Sequence, residues 1–435
     1  MKPQLLILWL VLGLGCTIEQ TGDVALRVFL AQGGPGALDL ATRIRVGVVG
    51  GETVDVTVDE AFERGIAVPI AGDGATHQVR ILGLDDAGTV VGRGDSAPIT
   101  FELGSLTVVD VVLRPVGAFS GGLGLLTAAR PIVRTVFDGE RVWALSGASE
   151  QAAPDRVDVV DPWLTSVDGI DLPTALGLEP GVALGSGGAL YLLTGAHGWR
   201  FDPGVAEPTA VMVAGAPILP GATVVDADDG WTLLGGLDER GLATTQCLHV
   251  TLSGDGFAST ACHSMRRARR QPVAANAGAA LVVLGGDPVG AYGEVLGAEE
   301  LAGPGQAPSA GCSYGPASAV FVGDGSRRIL SYSNGAFGSA GELAVARTGA
   351  SIFRLSGDRF LVAGGAEAEV QSTGEVLTLG PSGQFATGGV LALIGPRTSA
   401  ALHALPNGDA LLIGGVDPNG NPATWLEVYT TPSPQ

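Results

Sequence analysis

Four cysteines, five histidines, five tyrosines and a set of recurring arginines are the side chains of this 435-residue chain with reactive or ligating chemistry. Cys247 and Cys262 bracket the segment CLHVTLSGDGFASTAC, and the turn Ser253-Gly254-Asp255-Gly256 is also the midpoint between them. A hairpin about that turn sets the two thiols opposite one another, so a disulfide is expected in an oxidising compartment, with Cys262–Cys312 as the competing pair. His249 and His263 stand beside these cysteines, but the paired short spacings of a soft-ligand zinc site are absent. The chain has no Gly-x-Ser-x-Gly, His-Glu-x-x-His or Cys-x-x-Cys motif, so the commonest serine-hydrolase, zinc-protease and redox signatures are missing. Lys2 is the sole lysine, which leaves no residue for P-loop or Schiff-base chemistry. The acidic turns Asp226-Ala227-Asp228-Asp229-Gly230 and Asp417-Pro418-Asn419-Gly420-Asn421 lack the glycine and glutamate spacing of a calcium loop, and hairpin turn chemistry accounts for them. Arg93-Gly94-Asp95 spells an adhesion tripeptide and reads as coincidence in a glycine-rich, acidic chain. No metal and no cofactor is expected.

The arginines lead back to the elements that position them. Arg130, Arg269, Arg347 and Arg397 each precede, by about eighteen residues, the end of an apolar run closed by a glycine pair or its remnant. The unit is clearest at 395–429. It reads as the strand SAALHAL, the turn Asn407-Gly408, the strand ALLIGG, a polar loop at Pro418-Asn419-Gly420, and the strand WLEVY. Asn-Gly supplies the positive φ that a tight hairpin needs, and a glycine pair ending an apolar strand marks a close backbone approach. Weaker copies end at Gly235-Gly236, Gly285-Gly286 and Gly364-Gly365, with degraded ones at Gly147-Ala148, Gly195-Ala196 and around Ser331. An acidic residue with two apolar followers comes next, as Asp158-Val159-Val160, Glu294-Val295-Leu296, Glu375-Val376-Leu377 and Glu427-Val428-Tyr429.

Four aligned features recurring every 35 to 50 residues resemble the Kelch repeat. The resemblance spans 117–431 and implies a β-propeller of four-stranded blades, seven by length, with six or eight also compatible. It leaves two roles for Arg130, Arg269, Arg347 and Arg397: binding a carbonyl or acidic side chain of a nearby blade, or ringing one mouth of the axis to attract an acidic ligand. Some such propellers resemble galactose oxidase, which holds copper through tyrosine and histidine. Here only His403 falls on an expected innermost strand, and Tyr429 occupies an apolar repeat position.

Hydrophobic residues make up 46% and charged residues 16%, with 69 glycines. That describes many short buried strands and tight turns rather than disorder. A net charge of −20 argues against nucleic acid and anionic lipid surfaces as partners. The basic cluster Arg266-Arg267-Ala268-Arg269-Arg270 reads as a solvated loop plus the repeat's own arginine. At the start, Lys2 and an apolar run over 5–14 end at Gly15-Cys16. This is similar to a bacterial lipoprotein signal in which Cys16 is the lipidated residue, with an ordinary secretory signal as the alternative. Gly13 departs from the usual leucine, and Thr17 after the cysteine resembles outer-membrane retention.

After a tether at 17–21, residues 22–115 change to period-two alternation. Strands are expected at 24–30, 43–49, 53–58, 66–70, 77–82, 99–103 and 107–113, and one helical turn at 59–64. This is the pattern of an immunoglobulin-like β-sandwich. The whole reads as all-β, a sandwich followed by a propeller, in an exported, outer-membrane-anchored lipoprotein. The expected role is non-catalytic binding or scaffolding toward an envelope protein or glycan, membrane contact being through the lipid anchor only. The alternative is a carbohydrate-active oxidase or hydrolase on the same scaffold, and a third reading is a structural envelope component without a ligand.

Overall fold

The computed structural model describes residues 5–7, 23–64, 74–101, 106–129, 132–147, 154–172, 181–205, 207–286, 292–298, 300–302 and 307–432. Cys16, Arg130 and the strand expected at 66–70 lie outside the described residues. The rest is nearly all β, with a single described helix, Val58–Arg64. Asp59 and Glu60 stand in its first turn, where acidic side chains oppose the helix dipole, and Glu60 and Thr57 exchange capping hydrogen bonds.

The N-terminal region is dominated by a sheet of seven strands in the order Leu5–Ile7, Asp23–Leu30, Leu106–Pro115, Val90–Asp95, Val79–Leu84, Arg43–Val48, Thr53–Thr57. Alternation predicts two packed sheets. Instead, Val90–Asp95 joins Val79–Leu84 to Leu106–Pro115 and merges most strands into one sheet, leaving Thr76–His77 and Ile99–Thr100 as a separate pair. The sequence VVGRGD carries no alternation, so periodicity misses that strand. Leu26, Val28, Ile44, Val46, Ile81 and Val111 meet in a core of their own.

From residue 119 onward the strands form seven four-stranded antiparallel units. The first strands of units one to seven are Ile132–Phe137, Val182–Ser186, Thr223–Ala227, Val273–Ala277, Ala310–Ser313, Ser351–Arg354 and Ala401–Ala404. From unit one to unit seven, each packs on the first strand of the one that follows it. Phe119–Leu125 precedes unit one in the chain but pairs with Trp425–Tyr429, so it supplies the fourth strand of unit seven. Units two and three are further joined where Thr209–Gly215 and Gly256–Ala261 pair in parallel.

Burial falls steeply from the inside of a unit outward. The second strands are mostly apolar and buried, as in Val142–Gly147 and Ala410–Ile413, because a neighbouring unit covers each face. The fourth strands are the least buried in most units, as in Phe385–Ala392, although Phe119–Leu125 begins with the buried Phe119 and Ser120. Seven apolar clusters result, each shared by two successive units. One of them packs Val142, Ala144 and Val160 of unit one against Leu411, Ile413 and Val428 of unit seven, so the series of contacts returns to its start.

Candidate functional site

The recurring arginines sit inside the protein. Arg269, Arg347 and Arg397 are fully buried and each ends on the glutamate of its own unit: Arg269 Nε donates to Glu294 Oε1 at 3.0 Å, Arg347 Nη2 to Glu375 Oε1 at 2.9 Å and Arg397 Nη2 to Glu427 Oε1 at 2.6 Å. Nη1 of each reaches the first glycine of the pair, through the carbonyls of Gly285, Gly364 and Gly414, while Arg397 Nε is buried without a hydrogen-bond partner. The second carboxylate oxygen accepts a main-chain N–H from the loop that carries the arginine, as from Ala344 at 2.6 Å and Ile394 at 2.8 Å. Each arginine thus ties its loop to the second and third strands of its unit. With no exposed surface, these three form no ligand-attracting ring. In unit one, the acidic residue Asp158 takes hydrogen bonds from Thr127.

Cys247 and Cys262 are joined by a disulfide with Cα atoms 5.2 Å apart. The flanking strands pair Leu248 with Ala261 in register, which sets the two cysteines opposite one another. Cys312 is free and half-buried, and burial raises its thiol pKa. Asp417 accepts N–H bonds from Asn419 and Asn421 at 2.8 Å, a closed turn whose hydrogen bonds lower its pKa. Arg93 and Asp95 are buried at the seam between the N-terminal sheet and unit seven, so no adhesion tripeptide is presented. Tyr429 packs on Phe119, and burial raises its pKa. His249 pairs with Asp229 at 3.1 Å. Among the described residues no group of three or more His, Cys, Asp or Glu stands together as a metal site.

Two concavities among the described residues bear on a site. The first, about 360 Å³, is framed by the first strands of units one, two, three, six and seven. Thr135, Val136, Phe137, Ala183, Leu184, Gly185, Val224, Asp226, Trp231, Phe353, Leu402, His403 and Ala404 line it, and its wall is divided evenly between polar and apolar surface. His403 is half-buried, with its Nε2 closed off from solvent. Burial holds its pKa down to about 4, and Nε2 has no hydrogen-bond partner. Asp226 stands at the open rim; desolvation still raises its pKa. The second is an outer groove of about 730 Å³ between units one and two, lined by Arg141, Asp161, Ser166, Asp168, Asp171 and Val205 among others.

His403 is legible in the sequence as an inner-strand residue, whereas Asp226, Trp231 and Phe353 do not stand out there as a wall. A signal for some of that wall exists. Val136, Phe353 and His403 each lie six residues after a recurring arginine, so one repeat position faces the cavity in three units.

No family model matches the chain, and no curated protein matches it. Among solved structures it is similar to one described as "Structure of YjhT", at 12% identity and a TM-score of 0.43, over 71% of this chain and 97% of that one. A likeness at that distance carries neither a site nor an activity across.

Proposed function

We propose that this chain is an exported, lipid-anchored binding or scaffolding protein. In this reading residues 117–431 form a seven-bladed Kelch-like propeller and residues 22–115 an adaptor between the propeller and an anchor at Cys16. The observation that carries the propeller is the closed series of seven inter-unit clusters, completed by Phe119–Leu125 in the last sheet. Closure by a strand from before the first unit removes the free ends of the ring, so the scaffold is rigid and its grooves are preformed.

The partner in this reading is an envelope protein or glycan, met at the groove between units one and two. That groove offers carboxylates, a hydroxyl and an arginine beside Ile170, Pro203 and Val205, a mixed surface suited to an extended polar partner. A photo-crosslinking residue at Ser166 or Val205 in the native envelope should give one dominant adduct, and the same residue at the remote, exposed Val390 should not. Equal labelling from all three sites would sink the groove as the docking face. Anchoring is read separately. The mass of the N-terminal peptide should show an acylated Cys16, and Cys16→Ser should move the protein from the detergent phase to the aqueous phase.

A further inference from the structure

We propose that the 360 Å³ cavity framed by the first strands binds a small organic cation, an ammonium group on a compact body, with Asp226 as counter-charge. This goes beyond the scaffold reading and does not depend on it, because it stands on the cavity itself.

Charge selects the class. Among the described residues no arginine or lysine lines the cavity, Asp226 is the one carboxylate in its wall, and no basic side chain bonds to that carboxylate. An anion would meet an unopposed negative charge; a neutral guest would leave the carboxylate unpaired. A cation resolves both, and the chain's net charge of −20 favours its approach. The wall adds a second selection. Phe137, Trp231 and Phe353 contribute aromatic surface, and ring faces attract ammonium groups by up to about 2 kcal/mol when water is excluded. The His403 imidazole adds a third: it is neutral near pH 7 and so does not repel a cation. The volume is at the lower end of small-molecule sites, which limits the guest to about the size of one substituted ring.

The test is calorimetric titration of the full-length purified protein with three probes of one shape: benzylammonium, benzyl alcohol and benzoate. Benzylammonium should saturate at one equivalent, at least tenfold more tightly than benzyl alcohol, with no binding of benzoate. Asp226→Asn should weaken benzylammonium at least tenfold and leave benzyl alcohol unchanged. Asp226 is exposed at the rim, so this variant should keep the parent melting temperature. Ala404→Phe, which fills the cavity, should abolish binding in a protein that still melts cooperatively. Three results would overturn the proposal: alcohol and ammonium binding equally, Asp226→Asn without effect on the ammonium, or no saturable heat from any probe.

Discussion

Arg347 shows how much one side chain can carry. Its guanidinium, fully buried, donates to Glu375, to the Gly364 carbonyl at 2.6 Å and to the Thr373 carbonyl at 2.8 Å, while Glu375 accepts N–H bonds from Ala344 and Val345. A buried ion pair gains little over an apolar pair of the same shape, but breaking it strands a charge at a cost of about 3–5 kcal/mol. Arg347→Ala should therefore lower the unfolding free energy by about that amount in urea denaturation, and Arg347→Lys should recover little of it because an ammonium lacks the planar fork. Recovery to near the parent value with lysine would show that charge alone suffices. His403 gives a prediction in pH. Its folded pKa, about 4, lies below the ordinary 6.5 because burial disfavours the imidazolium. Between those values the unfolded chain binds a proton that the folded chain refuses, so this residue makes stability rise with pH across that window and adds no slope above it. Melting temperatures of the parent and His403→Gln from pH 4.5 to 7.5 should differ in slope below pH 6.5 and run parallel above it. Parallel curves throughout would mean that the imidazole protonates freely.

At the scale of the element, the repeat was legible because backbone geometry forces residue choice. Asn407-Gly408, Gly364-Gly365 and the acidic-apolar triplets each mark a turn, a close approach or a third strand, and each stands at the expected point in a unit. Two glycines separate the reasons. Gly408 has φ +83° with open space where a Cβ would go, whereas Gly364 has φ +68° and its Cβ would lie 2.7 Å from the Arg397 carbonyl oxygen of the next unit. Gly408→Ala should then cost about 1 kcal/mol, the conformational strain alone. Gly364→Ala should cost about 3 kcal/mol, because overpacking against a fixed backbone is added. Equal losses in denaturant melts would mean that the units can move apart. What stayed hidden has a physical reason too. Val90–Asp95 has no hydrophobic period to betray it, and the cavity wall is assembled from five units, so only the three residues at one repeat offset leave a trace in the sequence. The arginines were visible as a pattern, but whether they faced inward or outward depended on glutamates one strand away.

At the scale of the whole molecule, the joint between the N-terminal sheet and the seven units is polar, and it coincides with the end of the last unit. Arg93 pairs with Asp409 and donates to the Thr431 carbonyl at 2.9 Å; Asp409 in turn accepts the Thr431 N–H at 2.9 Å. Arg114, buried beside them, donates to Thr165 Oγ1 of unit one at 3.1 Å, and burial brings its pKa down to about 10. The same side chains that hold the N-terminal sheet in place therefore pin the strand end that completes unit seven, next to the closing contact with unit one. Coupling of that kind means that the sheet and the ring of units should unfold together rather than in sequence. In Arg93→Ala, Asp409 keeps its burial, which already raises its pKa, and loses its partner. The variant should fall by about 3–5 kcal/mol, with Arg93→Ala/Asp409→Ala less destabilised than the single change because Asp409 is no longer stranded, while Asp95, which also loses Arg93, keeps its pair with Arg80. Calorimetry distinguishes this from a passive tether: one transition in the parent and two in Arg93→Ala would show that the joint transmits stability. Two transitions in both proteins would mean that the N-terminal sheet and the seven units fold independently across an interface that merely touches.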